Sequence, residues 1–337
     1  MRKAFFCFLP FAAIISVLAP LGSARAAAAR FQLGVAAASS SALSLWVAQE
    51  EKIFGRHGID VEIVLIRGGP TLVASLLTGD IQAAFTSGVS VLGAAAQGVE
   101  MKMLTSISSR VSWKLIASPE IKNAAGLRGQ RFGVQSIVGS TWMYAMLALE
   151  ELALEPKRDR ITFLPIGDPV IIAQALEAGR IDAAVLDPAL SRQLEAKGFH
   201  ALVDLAQSNA RFPGLGVGVT RAQLAAKPDA MEKLVTALTE SLVFVQRPEN
   251  YSAVVKILMK HLRLADPRAA EEGYRDHLST LNRKPYPSLD GLRSAQRLMT
   301  QQNTKIAALK VEDLVEQRFV RKLDDSGFID RLYAPAR

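Results

Sequence analysis

From Phe31 onward, short apolar runs alternate with stretches in which apolar residues return every three or four positions. A period of two marks strands and a period of 3.6 marks helices, so the alternation predicts βαβ units around mainly parallel sheet. The expected order is strand Phe31–Ala36, helix Ser39–Phe54, strand Val61–Ile66, turn Arg67–Pro70, helix Thr71–Leu77, strand Ile81–Thr86, helix Val89–Ala96 and strand Lys102–Ser106. A second run follows, with strands Trp113–Ala117 and Arg131–Gln135, helix Thr141–Leu152, strand Ile161–Pro165, helix Val170–Ala178 and strand Ile181–Leu186.

The two runs resemble each other at a nearly constant offset. Leu76, Gly79, Ile81, Ala83 and Ala84 recur as Leu176, Gly179, Ile181, Ala183 and Ala184. With one residue of slip, Gly34-Val35, Ser41, Gly68 and Pro70 recur as Gly133-Val134, Ser140, Gly167 and Pro169. Past Val203 the pattern changes: Arg211–Thr220 reads as a glycine-rich crossover into another strand, and the remainder is helical. Leu234, Leu238, Leu242 and Val245 form one stripe, Val255, Leu258 and Leu262 a second, and Asp313–Leu323 and Phe328–Leu332 close the chain. Helices without a sheet of their own need a support, which the first lobe supplies.

The expectation is an α/β protein of two lobes joined by a hinge of two crossings, near Val111 and Gly214. Residues 27–112 with 213–337 would form lobe one, carrying the helical C-terminal segment, and 113–212 lobe two. Ligands of open α/β sheets bind beyond the carboxyl ends of the strands. Loops Ala37–Ser41, Gly68–Pro70, Thr86–Gly88, Ile137–Thr141, Gly167–Pro169 and Asp187-Pro188 would therefore converge on one cleft.

Composition adds the compartment. With 337 residues, half of them hydrophobic and 21% charged, the chain is globular and long enough for two cores. Met1-Arg-Lys, an apolar run from Ala4 to Leu21 and Ser23-Ala-Arg-Ala26 form the pattern of a secretory signal peptide over residues 1–26, with a retained anchor as the alternative. The single cysteine, Cys7, lies inside that run without a lipobox, so the exported chain is expected to be no lipoprotein and to have neither disulfide nor thiol chemistry. Removing Arg2, Lys3 and Arg25 lowers the net charge from +8 to +5. The remaining basic residues are scattered and not interleaved with aromatics, which argues against nucleic acid.

Candidate chemistry is sparse. His57, His200, His261 and His277 are far apart, no H-E-x-x-H, G-x-S-x-G or S-x-x-K motif is present, and Asp182 and Asp187 have no paired acid. No catalytic residue, metal or cofactor is expected. The stretch Gly133–Trp142, GVQSIVGSTW, fails as a phosphate loop: five residues rather than four separate Gly133 from Gly139, and no lysine follows. What remains is a helix start offering amides and hydroxyls. Ser140 either caps its own helix or, with the equivalent Ser39-Ser40-Ser41, holds a ligand between the lobes.

Leu45–Phe54 leading to His57–Glu62, Gly68-Gly-Pro70, Leu76–Ala84, Gly126–Val134 with Gly139-Ser140, and Asp182–Pro188 together resemble a family. The chain looks like a periplasmic solute-binding protein of ABC importers, in the nitrate/sulfonate/taurine group related to thiamine-pyrimidine-precursor binders. The resemblance implies a type II periplasmic binding fold, a periplasmic monomer closing on a small ligand, and delivery to a membrane permease with its ATPase. By position it implies ligand contacts from Ser39, Ser40, Ser41, Gly68, Thr86, Ser87, Ser108, Ser109, Ser140, Thr141 and Asp187. Trp142 follows the helix start and is the aromatic candidate; Trp46 and Trp113 are the others, and Arg67 or Arg110 could add charge. Many members carry Trp-Glu-Pro where this chain has Leu186-Asp-Pro188. Fungal pyrimidine synthases of related fold use a cysteine-rich motif that this chain lacks. The ligand class stays open among sulfonate, carboxylate, nitrate and aromatic compounds, and an exported enzyme or a sensor domain are the alternative functions.

Overall fold

The computed structural model describes residues 30–36, 38–66, 68–208 and 211–334. The expected signal peptide over residues 1–26, Ala37 and Arg67 lie outside the described residues. Ten strands form two five-stranded sheets. The first contains β1 (Phe31–Val35), β2 (Val61–Leu65), β3 (Ala83–Ser87), β4 (Met101–Met103) and β10 (Leu215–Thr220), ordered β2-β1-β3-β10-β4. The second contains β5 (Lys114–Ala117), β6 (Arg131–Val134), β7 (Thr162–Pro165), β8 (Ala183–Leu186) and β9 (His200–Asp204), ordered β7-β6-β8-β5-β9.

The two orders are the same pattern. In each sheet, three strands run parallel and the fourth position holds an antiparallel strand that has just crossed from the other lobe, β10 in one and β5 in the other. The repeat legible in the sequence is thus a repeat of packing. A side chain at Gly34 would sit 2.5 Å from Leu72 and 2.6 Å from Ile81, and one at Gly133 would sit 3.1 Å from Ile172 and 2.4 Å from Ile181. Both glycines let a helix and the next strand close over the first strand.

The helices are α1 (Leu43–Glu50), α2 (Ile53–Arg56), α3 (Gly69–Thr78), α4 (Gly88–Ala95), α5 (Ser140–Glu151), α6 (Pro169–Glu177) and α7 (Pro188–Glu195), then α8 (Arg221–Ala226), α9 (Pro228–Gln246), α10 (Tyr251–Leu262), α11 (Pro267–Leu278), α12 (Leu289–Thr300), α13 (Arg318–Asp325) and α14 (Phe328–Tyr333). The single helix expected over Ser39–Phe54 is three pieces: a short 3-10 turn at Ser40–Ala42, then α1 and α2, separated where Lys52 takes a left-handed φ of 54°. The helical tail packs on lobe one, where Leu234, Leu238 and Leu242 of α9 and Leu258 of α10 bury against Leu45, Val47 and Phe54. Among the described residues, no helix is long and apolar enough to cross a membrane.

The chain crosses between sheets after β4 and returns before β10, and the two crossings are tied together. Leu104 N donates to Val217 O at 2.8 Å, Ile107 N to Leu215 O at 2.8 Å and Phe212 N to Ser109 O at 3.3 Å. The strands touch backbone to backbone: a side chain at Gly214, whose φ is 75°, would overlap the Ser108 carbonyl at 1.7 Å, and one at Gly216 the Thr105 carbonyl at 1.8 Å. The loop after α11 braces this joint, with Asn282 N donating to Ile107 O and Asn282 Nδ2 to Ser106 O at 2.8 and 3.0 Å.

Candidate functional site

Of the helix starts that lie at carboxyl ends of strands, those after β1, β3, β6 and β8 are of two kinds. Ser87 ends β3 and caps α4, its Oγ accepting from Ser90 N at 3.4 Å, while Gly88 N donates to Gly214 O at 3.2 Å. Asp187, its counterpart in the repeat, caps α7, its Oδ1 accepting from Ala189 N at 2.9 Å and Leu190 N at 3.1 Å. Burial pushes the Asp187 carboxyl above the usual range, against the pull of those two amides and of Arg192.

The other two starts have no side-chain cap. In lobe one, Ser39 precedes the Ser40–Ala42 turn without capping it; its Oγ meets Ser41 Oγ at 2.6 Å instead. In lobe two, Gly139 holds the cap position of α5 and has no side chain to offer. The turn before it is tightly folded, with Gly139 N on Ser136 O at 3.2 Å and Gln135 N on Thr141 Oγ1 at 2.8 Å. Val138 adopts a φ of 63°, a conformation that a β-branched residue rarely takes and that costs about 1 kcal/mol or more. The amides of Ser140, Thr141 and Trp142 open α5 and have no intrahelical acceptor, which leaves the positive end of the helix dipole facing outward.

Ser140 therefore does not cap its own helix. Its Oγ meets Ser87 Oγ at 3.1 Å, a hydroxyl-to-hydroxyl contact from lobe two to lobe one. Ser87 Oγ also approaches Ser90 Oγ at 3.5 Å, and Gly69 abuts Ser90 so closely that a Cβ there would lie 3.1 Å from that hydroxyl. The starts of α3 (preceded by Gly68 at a φ of 88°), α4 and α5 thus gather around Ser87, Ser90 and Ser140. No hydrogen bond among the described residues links Ser39, Ser40 or Ser41 to Ser140.

Other sequence candidates fall elsewhere. Trp142 is 0% exposed and packs edge-on to Phe163 at 6.2 Å inside lobe two, so it is no wall of the cleft. The reason is periodicity: two residues along a helix lie about 200° apart, so Trp142 points away from Ser140, whereas four residues lie about 40° apart. Tyr144 shares the Ser140 face. Its ring contacts Trp113 at 5.0 Å and Phe212 at 4.8 Å, one from each crossing, and burial holds its phenol above the ordinary range. Trp46 is buried against His261. Ser109 Oγ donates to Asn282 Oδ1 at 2.8 Å and the Ser108 carbonyl accepts from Ser106 Oγ at 2.9 Å, which assigns both to the joint between crossings. Thr141 is buried on its own turn, Thr86 is buried, its methyl against Gly218 of β10, and the Asp187 carboxylate is engaged by its helix; Arg110 is exposed. Ser90 and Tyr144 were not anticipated, although each lies one helical turn from a candidate serine.

The family model described as NMT1/THI5 like matches residues 40–250. A Brucella abortus relative, described as a binding protein with no ligand stated, is 25% identical over 222 residues, covering 65% of this chain and 67% of its own. The alkanesulfonate-binding protein SsuA from Xanthomonas axonopodis, solved with MOPS, is 18% identical with a TM-score of 0.68 over 86% of this chain and 99% of that one. The periplasmic nitrate-binding protein NrtA from Synechocystis is 14% identical with a TM-score of 0.68 over 91% of each. The desulfurization enzyme DSZB, 16% identical, overlays with a TM-score of 0.60 over 88% of this chain and 99% of that one. A match across more than half of the sequence, on a two-lobed fold shared with periplasmic binding proteins, establishes that the chain belongs to the NMT1/THI5-like family.

Proposed function

We propose that the protein is the extracytoplasmic solute-binding component of an ABC importer, a monomer that captures a small anion between its lobes and delivers it to a membrane permease and its ATPase. The observation that carries this reading is the uncapped start of α5, where the Ser140 hydroxyl meets the Ser87 hydroxyl of the other lobe at 3.1 Å. Free amides at a helix start favour an acceptor with negative charge, and rotatable hydroxyls from both lobes can donate to its remaining oxygens. A sulfonate, carboxylate or nitrate fits that donor set, and an aromatic substituent is compatible with it. The signal-like residues 1–26 and the names of the sulfonate- and nitrate-binding relatives support export and this ligand class.

Thermal-shift screening against ethanesulfonate, benzoate, nitrate and a pyrimidine tests it. At a hundredfold excess over Kd a ligand adds about 2.7 kcal/mol of stability, a rise of several degrees. Ser140→Ala should weaken that ligand roughly tenfold to a hundredfold, as loss of one hydrogen bond to a charged group does. No shift with any probe, together with turnover of one of them, would overturn the reading. The fold is shared with a desulfurization enzyme, so an exported enzyme is the second reading, and product formation separates the two.

A further inference from the structure

Among the described residues, two ion-pair clusters join the lobes, and their settings differ. Beside the hinge, Arg297 of α12 grips Glu150 of α5 with Nη1 to Oε1 at 2.8 Å and Nη2 to Oε2 at 2.9 Å. That contact lies over continuous apolar packing: Leu92 of α4, Met143 and Leu147 of α5, Leu292 and Leu298 of α12, and Phe212 of the return crossing belong to one core. The second cluster has no such base. Arg192 of α7, in lobe two, reaches α11 of lobe one, with Nε on Glu272 Oε2 at 3.1 Å and Nη1 and Nη2 on Asp276 Oδ2 at 3.0 and 3.1 Å. Leu194 of α7 belongs to one core, while Ala270 and Tyr274 of α11 belong to another. Charge rather than apolar area holds these two helices together.

The cluster also lies toward the carboxyl ends of the strands. Helix α7 starts at Asp187, at the carboxyl end of β8, and α11 packs against the Ser40–Ala42 turn. Glu272 and Asp276 are one turn apart on the same face, so one planar guanidinium engages both carboxylates at once. We propose that Arg192, Glu272 and Asp276 form a latch that biases the empty protein toward its closed state, which makes Arg192 a positioning residue that tunes ligand affinity without touching ligand. The inference rests on the two-lobed fold and not on the importer reading. Apparent affinity scales with the fraction of molecules in the binding-competent state, so a change in the closed-to-open ratio changes both capture and release. All three side chains are partly solvated, 38%, 48% and 26% exposed, so the effect is modest and is screened by salt.

The test needs no ligand. The exported protein carrying Asp80→Cys and Arg180→Cys places one spin label at an exposed turn of each lobe, and pulsed dipolar spectroscopy reads the distance distribution at about 0.02 M and about 0.5 M salt, where screening lengths differ severalfold. The expected result is a closed population that shrinks with salt. Arg192→Met should lower the closed-to-open ratio roughly threefold at low salt and remove its salt dependence, as loss of a partly exposed ion pair predicts. Arg297→Met should leave the ratio unchanged, and Arg192→Glu combined with Glu272→Lys and Asp276→Arg should restore it. Circular dichroism confirms folding of each variant, with Arg192→Gln replacing any Arg192→Met that fails to fold. An unchanged distribution and salt response in the Arg192 variant, or a ligand-free protein that is wholly open at both salts, overturns the latch, whereas the importer reading stands or falls on the ligand screen.

Discussion

The capped helix starts at Ser87 and Asp187 and the uncapped ones at Ser39–Ala42 and Gly139 hold equivalent places in the two lobes, yet they treat their leading amides in opposite ways. A side-chain oxygen closes α4 and α7 from within. Nothing closes α5, and the preceding turn even keeps Val138 at a φ of 63° to present that end. Caps are worth about 1 kcal/mol each, so leaving one out is a stability cost that a binding function can explain. The comparison teaches that a serine at a strand-to-helix turn can close its own helix, as Ser87 does, or leave the start open, as Ser140 does.

The sharpest way to break that division is to supply the missing acceptor. Ser140→Asp places a carboxylate at the open start of α5, where the dipole favours it, so thermal stability should hold or rise while binding of sulfonate or nitrate probes is lost by at least about a hundredfold in calorimetry. If binding survives, the open start is not the anion site. Next in size is a pH effect behind the uncapped turn of lobe one. His277, on α11, is buried, its Nε2 has no partner, and burial pulls its pKa down to about 4. The unfolded chain protonates this ring near 6.5 and the folded protein only near 4, so stability is full above about pH 6.5 and falls as pH drops toward 4, by up to about 3 kcal/mol. His277→Phe should flatten that slope in urea unfolding at pH 7 and pH 4.5; an unaltered slope would show that another group carries it. Smallest is the capped start: Asp187→Ala should cost about 1 to 2 kcal/mol of stability and leave probe affinity within about twofold. The reverse outcome would place Asp187 at the ligand and erase the distinction.

Much of the fold was written locally. The Leu76–Ala84 and Leu176–Ala184 repeat, with Gly34 and Gly133, predicted two lobes because each element is set by its own strand and helix periods. What local periods do not encode is exchange. Strands β5 and β10 insert antiparallel between partners distant in sequence, and α11, PRAAEEGYRDHL, has too few apolar residues to announce itself. The same limit applies at the site. Ser87 and Ser140 were each readable as residues at strand-to-helix turns, but their pairing across 53 positions was not. Trp142 was misjudged for a simpler reason: adjacency along the chain was weighed above helical angle, which favours Tyr144. Arg192 gave no local signal, since its carboxylate partners lie 80 and 84 residues on.

The close approach of the two crossings at Gly214 and Gly216 has a mechanical consequence. With backbone lying on backbone and several amide bonds between them, the crossings cannot bend or slide independently. On the proposed opening of the lobes the two crossings would move as one unit, so its kinetics should reduce to a single relaxation whose rate registers any change made at the distant rim.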